Sequence, residues 1–227
     1  MKRILGIVMI GLLLIGCKEK TSEKKETQKV EFNQDIANEL EKMSEVDQLA
    51  ARNAYPPKDY QHLSLEQWKA FKDSVYTSHQ ERLAEIFEEY GYPGFNLVGK
   101  GGEKNFWVMV QHSDHNPDFQ KEVLEKMEIE IGKENADSRN YGLLVDRVNL
   151  NTGKAQIYGT QVDYNMDIAQ AFPINLADSA NVNERRKSIG LEPLEEYLNE
   201  MTILNFEMNK KLHEEKGITE PKLYKTE

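Results

Sequence analysis

The chain has 227 residues, with 29 Lys+Arg against 39 Asp+Glu, a formal net charge of −10, and a single cysteine. An acidic balance of this size repels a polyanion, so no nucleic-acid partner is expected, and it offers anionic lipid headgroups no basic patch to hold. One cysteine cannot close an internal disulfide, so the fold has to rest on its apolar core.

Met1, Lys2 and Arg3 precede an apolar run at 4–15 that is interrupted only by Gly6 and Gly11 and ends Leu14-Ile15-Gly16-Cys17. A run this short falls below the roughly 20 residues that a helix needs to cross a hydrocarbon core, so residues 1–16 read as a signal peptide. The order Leu-Ile-Gly-Cys resembles the lipobox of bacterial lipoproteins. That resemblance implies that Cys17 is acylated, with palmitate as a fitting chain, and becomes the first mature residue. Several acyl chains, at about 0.8 kcal/mol per buried methylene, hold durably where one does not. The expected address is therefore the cell envelope: extracytoplasmic, on the periplasmic side, anchored to membrane through the lipid. Lys18 follows Cys17 where inner-membrane retention would favour an aspartate, which points to the outer membrane if there are two. Without Lys2 and Arg3 the basic residues fall to 27 against 39 acids, a net of about −12.

Residues 18–29 read KEKTSEKKETQK, without one apolar side chain, so 17–29 are expected to be a lipidated cysteine and a flexible charged stalk. Residues 30–227 suffice for a single globular domain, with neither an internal repeat nor a second linker. A first helix is predicted at about 33–54, where Ile36, Leu40, Met43, Leu49 and Ala50 recur near helical spacing before Pro56 and Pro57 force an end. A second starts at the capping-box order Ser64-Leu65-Glu66-Gln67 and carries a stripe through Trp68, Phe71, Val75, Leu83 and Ile86 to a stop at Gly91. A Gly- and Pro-rich loop is expected at 91–102. The apolar run 106–110 fits helix or strand by period alone, with helix preferred. Asn116-Pro117 is a cap and first-turn pair for a helix at about 117–131, with Phe119, Val123, Leu124 and Met127 inward and Gly132 at its end. Between 143 and 160, Val148 and Leu150 alternate with Asn149, Asn151-Thr152-Gly153 forms a turn, and Ile157 and Tyr158 follow. This predicts a β-hairpin with Gln156 and Tyr158 on one face. Helices at about 182–189 and 193–211 complete an α+β reading, predominantly helical with a small antiparallel hairpin or sheet.

Three pieces together resemble a bacterial family of unknown function, DUF6624: VQHSDHNPDFQ at 110–120, DRVNLNTGKAQIYGTQ at 146–161 and NERRKSIGLEPLEEY at 183–197. DQLAAR at 47–52 and YGYPGFNLVG at 90–99 agree with it. The resemblance covers most of the chain after the stalk and implies a shared fold, but it brings no activity with it. Ser113 stands where members often carry alanine, and the C-terminal helix is longer here.

His112 and Asp114, beside Gln111 at the end of the 106–110 run, form a pair suited to acid–base work, since imidazole titrates near neutrality and a carboxylate fixes its tautomer. The plainer reading, preferred at this level, is a histidine that ends a helix and bonds a nearby carbonyl. A zinc site from His112, Asp114, His115 and Asp118 is disfavoured, because the helix starting at Pro117 separates the ligands. Asp146 and Arg147, with Gln156, Tyr158, Thr160 and Gln161, read equally as a donor-rich wall for a small polar or anionic ligand or as a structural ion pair. One of Arg185 and Arg186 should face inward against Asp47, Asp146 or a ligand anion. Trp68 and Trp107 read as core, and no cofactor is expected. No G-x-S-x-G, phosphate loop or H-E-x-x-H is present. Three functions fit: a single pocket for a small polar or anionic ligand, built from His112, Asp114, Asp146, Arg147, Gln161 and one of Arg185 and Arg186; an enzyme using His112 and Asp114 in the same pocket; or a protein-docking module presenting an apolar face of the C-terminal helix.

Overall fold

Side chains that accept the first free N–H groups mark most of the long helix starts in this protein. The computed structural model describes residues 31–226, so the expectations for the signal peptide, Cys17 and the stalk lie outside the described residues. Asn33 Oδ1 accepts from Ile36 N–H at 3.1 Å and opens α1 (Gln34–Arg52). Ser64 and Gln67 complete the capping box, at 3.2 and 2.8 Å, at the start of α2 (Leu65–Tyr90), which Gly91 closes. Helix α3 (Phe95–Gln111) follows, then α4 (Pro117–Ile131), capped by Asn116 with Pro117 in its first turn, and α5 (Ser138–Asn151), capped by Asp137. Strands β1 (Val162–Asn165) and β2 (Gln170–Pro173) pair antiparallel, with Val162 opposite Pro173 and Asn165 opposite Gln170. Helices α6 (Val182–Ser188), α7 (Leu194–Met208) and α8 (Lys210–Glu215) end the chain. The fold is α+β and mostly helical, as its sequence pattern predicts.

The main core joins α1 to α5. Leu40, Leu83, Ile86, Phe106, Val110, Val123, Met127 and Leu144 are all wholly buried within it. Each such side chain taken out of water stabilises the fold by about 1.5–3 kcal/mol. A smaller core places Ala171 of β2, Val182 of α6 and Leu194 and Leu198 of α7 together. Trp68 is buried between the rings of Tyr60 and Phe71 and donates its indole N–H to the Asn53 carbonyl, and Trp107 donates to the Asn140 carbonyl. No helix among the described residues is long and apolar enough to cross a membrane.

Three expectations are corrected. The segment 91–102 is not one loop, because the chain becomes helical at Phe95. Gly99, at φ +70°, breaks α3 into two helical pieces, which is why a glycine-rich stretch can sit inside it. The hairpin expected at 148–158 is absent. Asp137 starts a helix that runs through Val148 to Asn151, and Leu144 and Val148, four residues apart, are both buried, so the Val-Asn-Leu alternation belongs to a helix face. The sheet begins only at Val162, and Gln156 makes just an isolated bridge to Leu176. The last predicted helix is also split, at Asn209.

Gly94 lets the start of α3 approach the 135 segment: a Cβ there would lie 2.3 Å from the Asn135 carbonyl oxygen, which is backbone and cannot swing away. Gly94→Ala is expected to cost about 1–3 kcal/mol. A thermal melt should show a drop of roughly 2–10 °C. An unchanged melting temperature would mean that the two segments separate freely.

Candidate functional site

Asp47 lies on the buried stripe of α1 with Ile36, Leu40, Ser44 and Ala50, a carboxylate on an apolar face. Its Oδ1 is 2.6 Å from His112 Nδ1, at the C-terminal end of α3, and its Oδ2 is 3.9 Å from Nδ1 of His79, on α2. Asp47 is wholly buried, whereas the His112 side chain is 20% exposed. Burial pushes the Asp47 carboxyl upward, but the hydrogen bond with His112 and the nearby His79 imidazole outweigh that, so it lies below the ordinary aspartate range. The Tyr76 ring stands tilted against the His112 imidazole, 5.5 Å between centroids. Tyr76 also lines an open hollow of about 500 Å³ with Tyr55, Lys69, Lys72 and Asp73.

Asp114 does not orient His112. Its carboxylate accepts two bonds from Arg147 of α5, from Nε at 2.8 Å and Nη2 at 2.5 Å, and one from Asn151 Nδ2 at 2.8 Å. The two-point pairing suits the fork of a guanidinium, and the pair is near the surface, where it contributes up to about 1 kcal/mol. Gln120 Nε2 donates to the Val110 carbonyl at 3.0 Å and more weakly to the Gln111 carbonyl and to Asp114, so the turn after His112 is tied to α4 and α5. The two-reading choice for His112 is thus altered: its partner is a carboxylate, but that carboxylate is Asp47. His115 and Asp118 are exposed, and among the described residues no group of three His, Cys, Asp or Glu side chains is arranged to hold a metal ion.

Asp146 faces the opposite way from Arg147 and is wholly buried. Its oxygens accept the N–H groups of Ile157, Tyr158 and Thr160 at 2.7–3.2 Å and the Thr160 hydroxyl at 3.0 Å. Gln156 is used up within the same loop, donating to the Gln161 and Ile174 carbonyls and accepting from Gln161 N–H at 2.7 Å. Arg185 is likewise occupied by Asp178 and by the carbonyls of Ile157, Ala177 and Asp178. Asp146, Gln156 and Arg185 therefore hold a loop.

Arg186 is the inward arginine. Neither Asp47 nor Asp146 pairs with it; Nε donates to the Glu192 carbonyl at 2.6 Å and Nη1 to the Tyr158 carbonyl at 2.8 Å, while the Glu192 carboxylate stays 3.6 Å from Nη2. Burial pulls its pKa down, with Glu192 the largest opposing influence. The guanidinium lies over the Tyr197 ring and borders a cavity of about 230 Å³. The residues expected to share one hollow, His112, Asp114, Asp146, Arg147, Gln161 and an arginine, do not: His112 stands on Asp47, Asp114 and Arg147 pair near the surface, Asp146 clamps a loop, Gln161 bonds within that loop, and Arg186 alone of them borders the 230 Å³ cavity. Asp47, Tyr76, His79 and Asn151 were missed as site residues. The signal for Asp47 was its place on an apolar helix stripe, and His79 sits midway between Val75 and Leu83 on another.

Asp146→Ala leaves three N–H groups, one buried and two part-buried, and the buried Thr160 hydroxyl without this acceptor and is expected to cost about 3–5 kcal/mol in denaturant unfolding, whereas Asp114→Asn should cost no more than about 1 kcal/mol. Equal costs would overturn this division into clamp and surface pair. Because the Asp47 pKa is depressed in the fold, its ionisation stabilises above the ordinary aspartate value of about 4 and that contribution is lost as pH falls further. The stability gap between the unaltered protein and Asp47→Asn should therefore narrow below about pH 4; a gap that is flat down to pH 2 would contradict the pairing.

No curated protein and no solved structure matches the chain. A family described as of unknown function, DUF6624, matches residues 34–205, which span α1 to most of α7, and the chain belongs to that family.

Proposed function

We propose that this protein is an extracytoplasmic lipoprotein, held to a membrane through acylated Cys17, whose domain carries out acid–base chemistry at His112 on a small polar or anionic substrate. The chemical part rests on one observation, the 2.6 Å hydrogen bond between His112 Nδ1 and the wholly buried Asp47. A carboxylate on Nδ1–H fixes the tautomer in which Nε2 is the basic nitrogen and stabilises the imidazolium once a proton arrives. Nε2 accepts no hydrogen bond from the described residues, and the side chain reaches solvent. Tyr76 limits rotation of the ring and connects it with the hollow that carries Lys69 and Lys72, whose charges favour an anionic group on the substrate. Arg147 and Asp114 neutralise each other beside it, so that pair positions the turn after His112.

The anchor rests on the order Leu14-Ile15-Gly16-Cys17 behind a charged start and an apolar run. A docking module is the second reading, favoured by Leu204, Met208 and Leu212, spaced by four and each at least 44% exposed on α7 and α8. It ranks lower because a docking face gives no reason to bury Asp47 between two imidazoles.

Palmitate labelling should mark the full chain and place it in the membrane fraction, and Cys17→Ser should lose both; an unlabelled parent protein would remove the anchor. For the chemistry, a panel of small polar esters, phosphoesters and carbohydrates should reveal turnover that falls about 10²–10⁴-fold in His112→Gln, with the melting temperature kept. Turnover unaffected by that change would sink the acid–base assignment. Nitrogen NMR gives an activity-free check: neutral His112 should carry its proton on Nδ1, and Asp47→Asn should disturb that preference.

A further inference from the structure

The cavity beside Arg186 is separate from the His112 corner, and the acid–base reading makes no use of it. We infer that this cavity binds the acidic group, carboxylate or phosphate, of a small solute through the free edge of the Arg186 guanidinium. Arg186 is wholly buried, yet Nη2 has no hydrogen-bond partner. Its two formed bonds go to neutral carbonyls, those of Glu192 and Tyr158. A lysine in such a place could shed its proton, whereas a guanidinium keeps its charge, so the unpaired edge remains a donor that wants an anionic oxygen. Arg186 is also the fixed part of the site, since Tyr197 lies under the guanidinium at 4.9 Å and holds its own hydroxyl on the Thr160 carbonyl at 2.6 Å.

The rest of the wall fits a small guest. Arg139 and Asn140 add donors, while Leu143 and Leu191 offer apolar surface for a short carbon skeleton. Among the described residues Glu192 is the carboxylate that comes within 4 Å of Nη2; it stops at 3.6 Å, beyond hydrogen-bond reach, while its other oxygen pairs with Arg139 at 3.0 Å. Its side chain is 25% exposed and its Arg139 partner 55% exposed, so that pair is weak and can open toward solvent. Glu192 thus holds, loosely, the place between two guanidiniums that a guest's acid group would take. Asp137, also on the wall, is already committed in part to capping α5 through Arg139 N–H. It disfavours a second acidic group on the guest. A volume of about 230 Å³ suits a solute of a few heavy atoms, below the usual range for drug-sized ligands.

Equilibrium dialysis of the full chain in detergent, with radiolabelled acetate or inorganic phosphate at fixed ionic strength, tests this. One saturable site per chain is expected for at least one of the two anions, and the tighter of them identifies the guest's acid as carboxylate or phosphate. Glu192→Gln, which removes the competing carboxylate from a partly exposed position, should tighten binding at least threefold, and Asn140→Leu should weaken it at least threefold. Arg186→Gln should abolish it, and the first two variants keep the test decisive should that one fail to fold. His112→Gln should bind as the parent does. Binding that never saturates, that is unchanged in Glu192→Gln and Asn140→Leu, or that disappears in His112→Gln would overturn the assignment.

Discussion

A carboxylate taken wholly out of water needs a donor for its lone pairs, and the way Asp146 obtains them sets the second half of the structure on the first. Asp146 sits on α5, whose inner face belongs to the main core. Its donors come from the backbone at 157, 158 and 160 and from the Thr160 hydroxyl. Turning those N–H groups inward leaves the Tyr158 carbonyl pointing away, where Arg186 Nη1 meets it; Arg186 in turn holds the Glu192 carbonyl just ahead of α7. One buried charge thereby orders a loop, a short helix and the entry to the smaller core, a chain of polar contacts in which each member is satisfied by the next until Arg186 Nη2, which is left over.

The neighbouring residue on the same helix works in the other direction. Successive side chains on a helix point about 100° apart, so with Asp146 inward Arg147 emerges toward the turn after α3 and clasps Asp114 there. Asp114 is two residues beyond His112, and Gln120 of α4 bonds the Val110 carbonyl before that histidine and the Asp114 side chain after it. Helix α5 therefore braces both regions of functional interest: through Asp146 it shapes the frame of the Arg186 cavity, and through Arg147 it steadies the end of α3 where His112 meets Asp47. Residues that looked in sequence like ligand contacts turn out to be the frame that places others.

That exchange of roles explains what could be read without coordinates. Caps such as Ser64 and Asn116 are local devices, in which a side chain answers an N–H three residues away, and they were legible with nearly the right helix bounds. The 143–160 segment failed because Val148-Asn149-Leu150 satisfies either period over three residues, and the deciding factor, burial of Leu144 and Val148 against the main core, is tertiary. His112 was identified but given the nearer acid in the chain. Its actual partner lies 65 positions earlier, since proximity in sequence counts for little once a residue sits at a helix terminus and its neighbours are drawn to other helices. The inward and outward division of Arg185 and Arg186 was legible from helical geometry, whereas the carbonyl partners of Arg186 were not, because carbonyls carry no sequence signal.

The two regions differ in the kind of imbalance that they hold, and this argues for different tasks. Around Asp47 the charge can move: one buried carboxylate stands between two imidazoles, and its Oδ2 and His79 Nδ1 face each other at 3.9 Å without other partners. The Asp47 carboxylate thus has an imidazole beside each oxygen, His112 at 2.6 Å and His79 at 3.9 Å. Around Arg186 the guanidinium keeps its proton, its two bonded partners are neutral carbonyls, and the nearby Glu192 carboxylate stops short of a hydrogen bond to the unpaired edge. Relief there has to arrive as a group from outside. A carboxylate between imidazoles suits the proposed proton transfer and a fixed guanidinium suits the inferred capture, and α5 braces both through the two neighbouring residues Asp146 and Arg147.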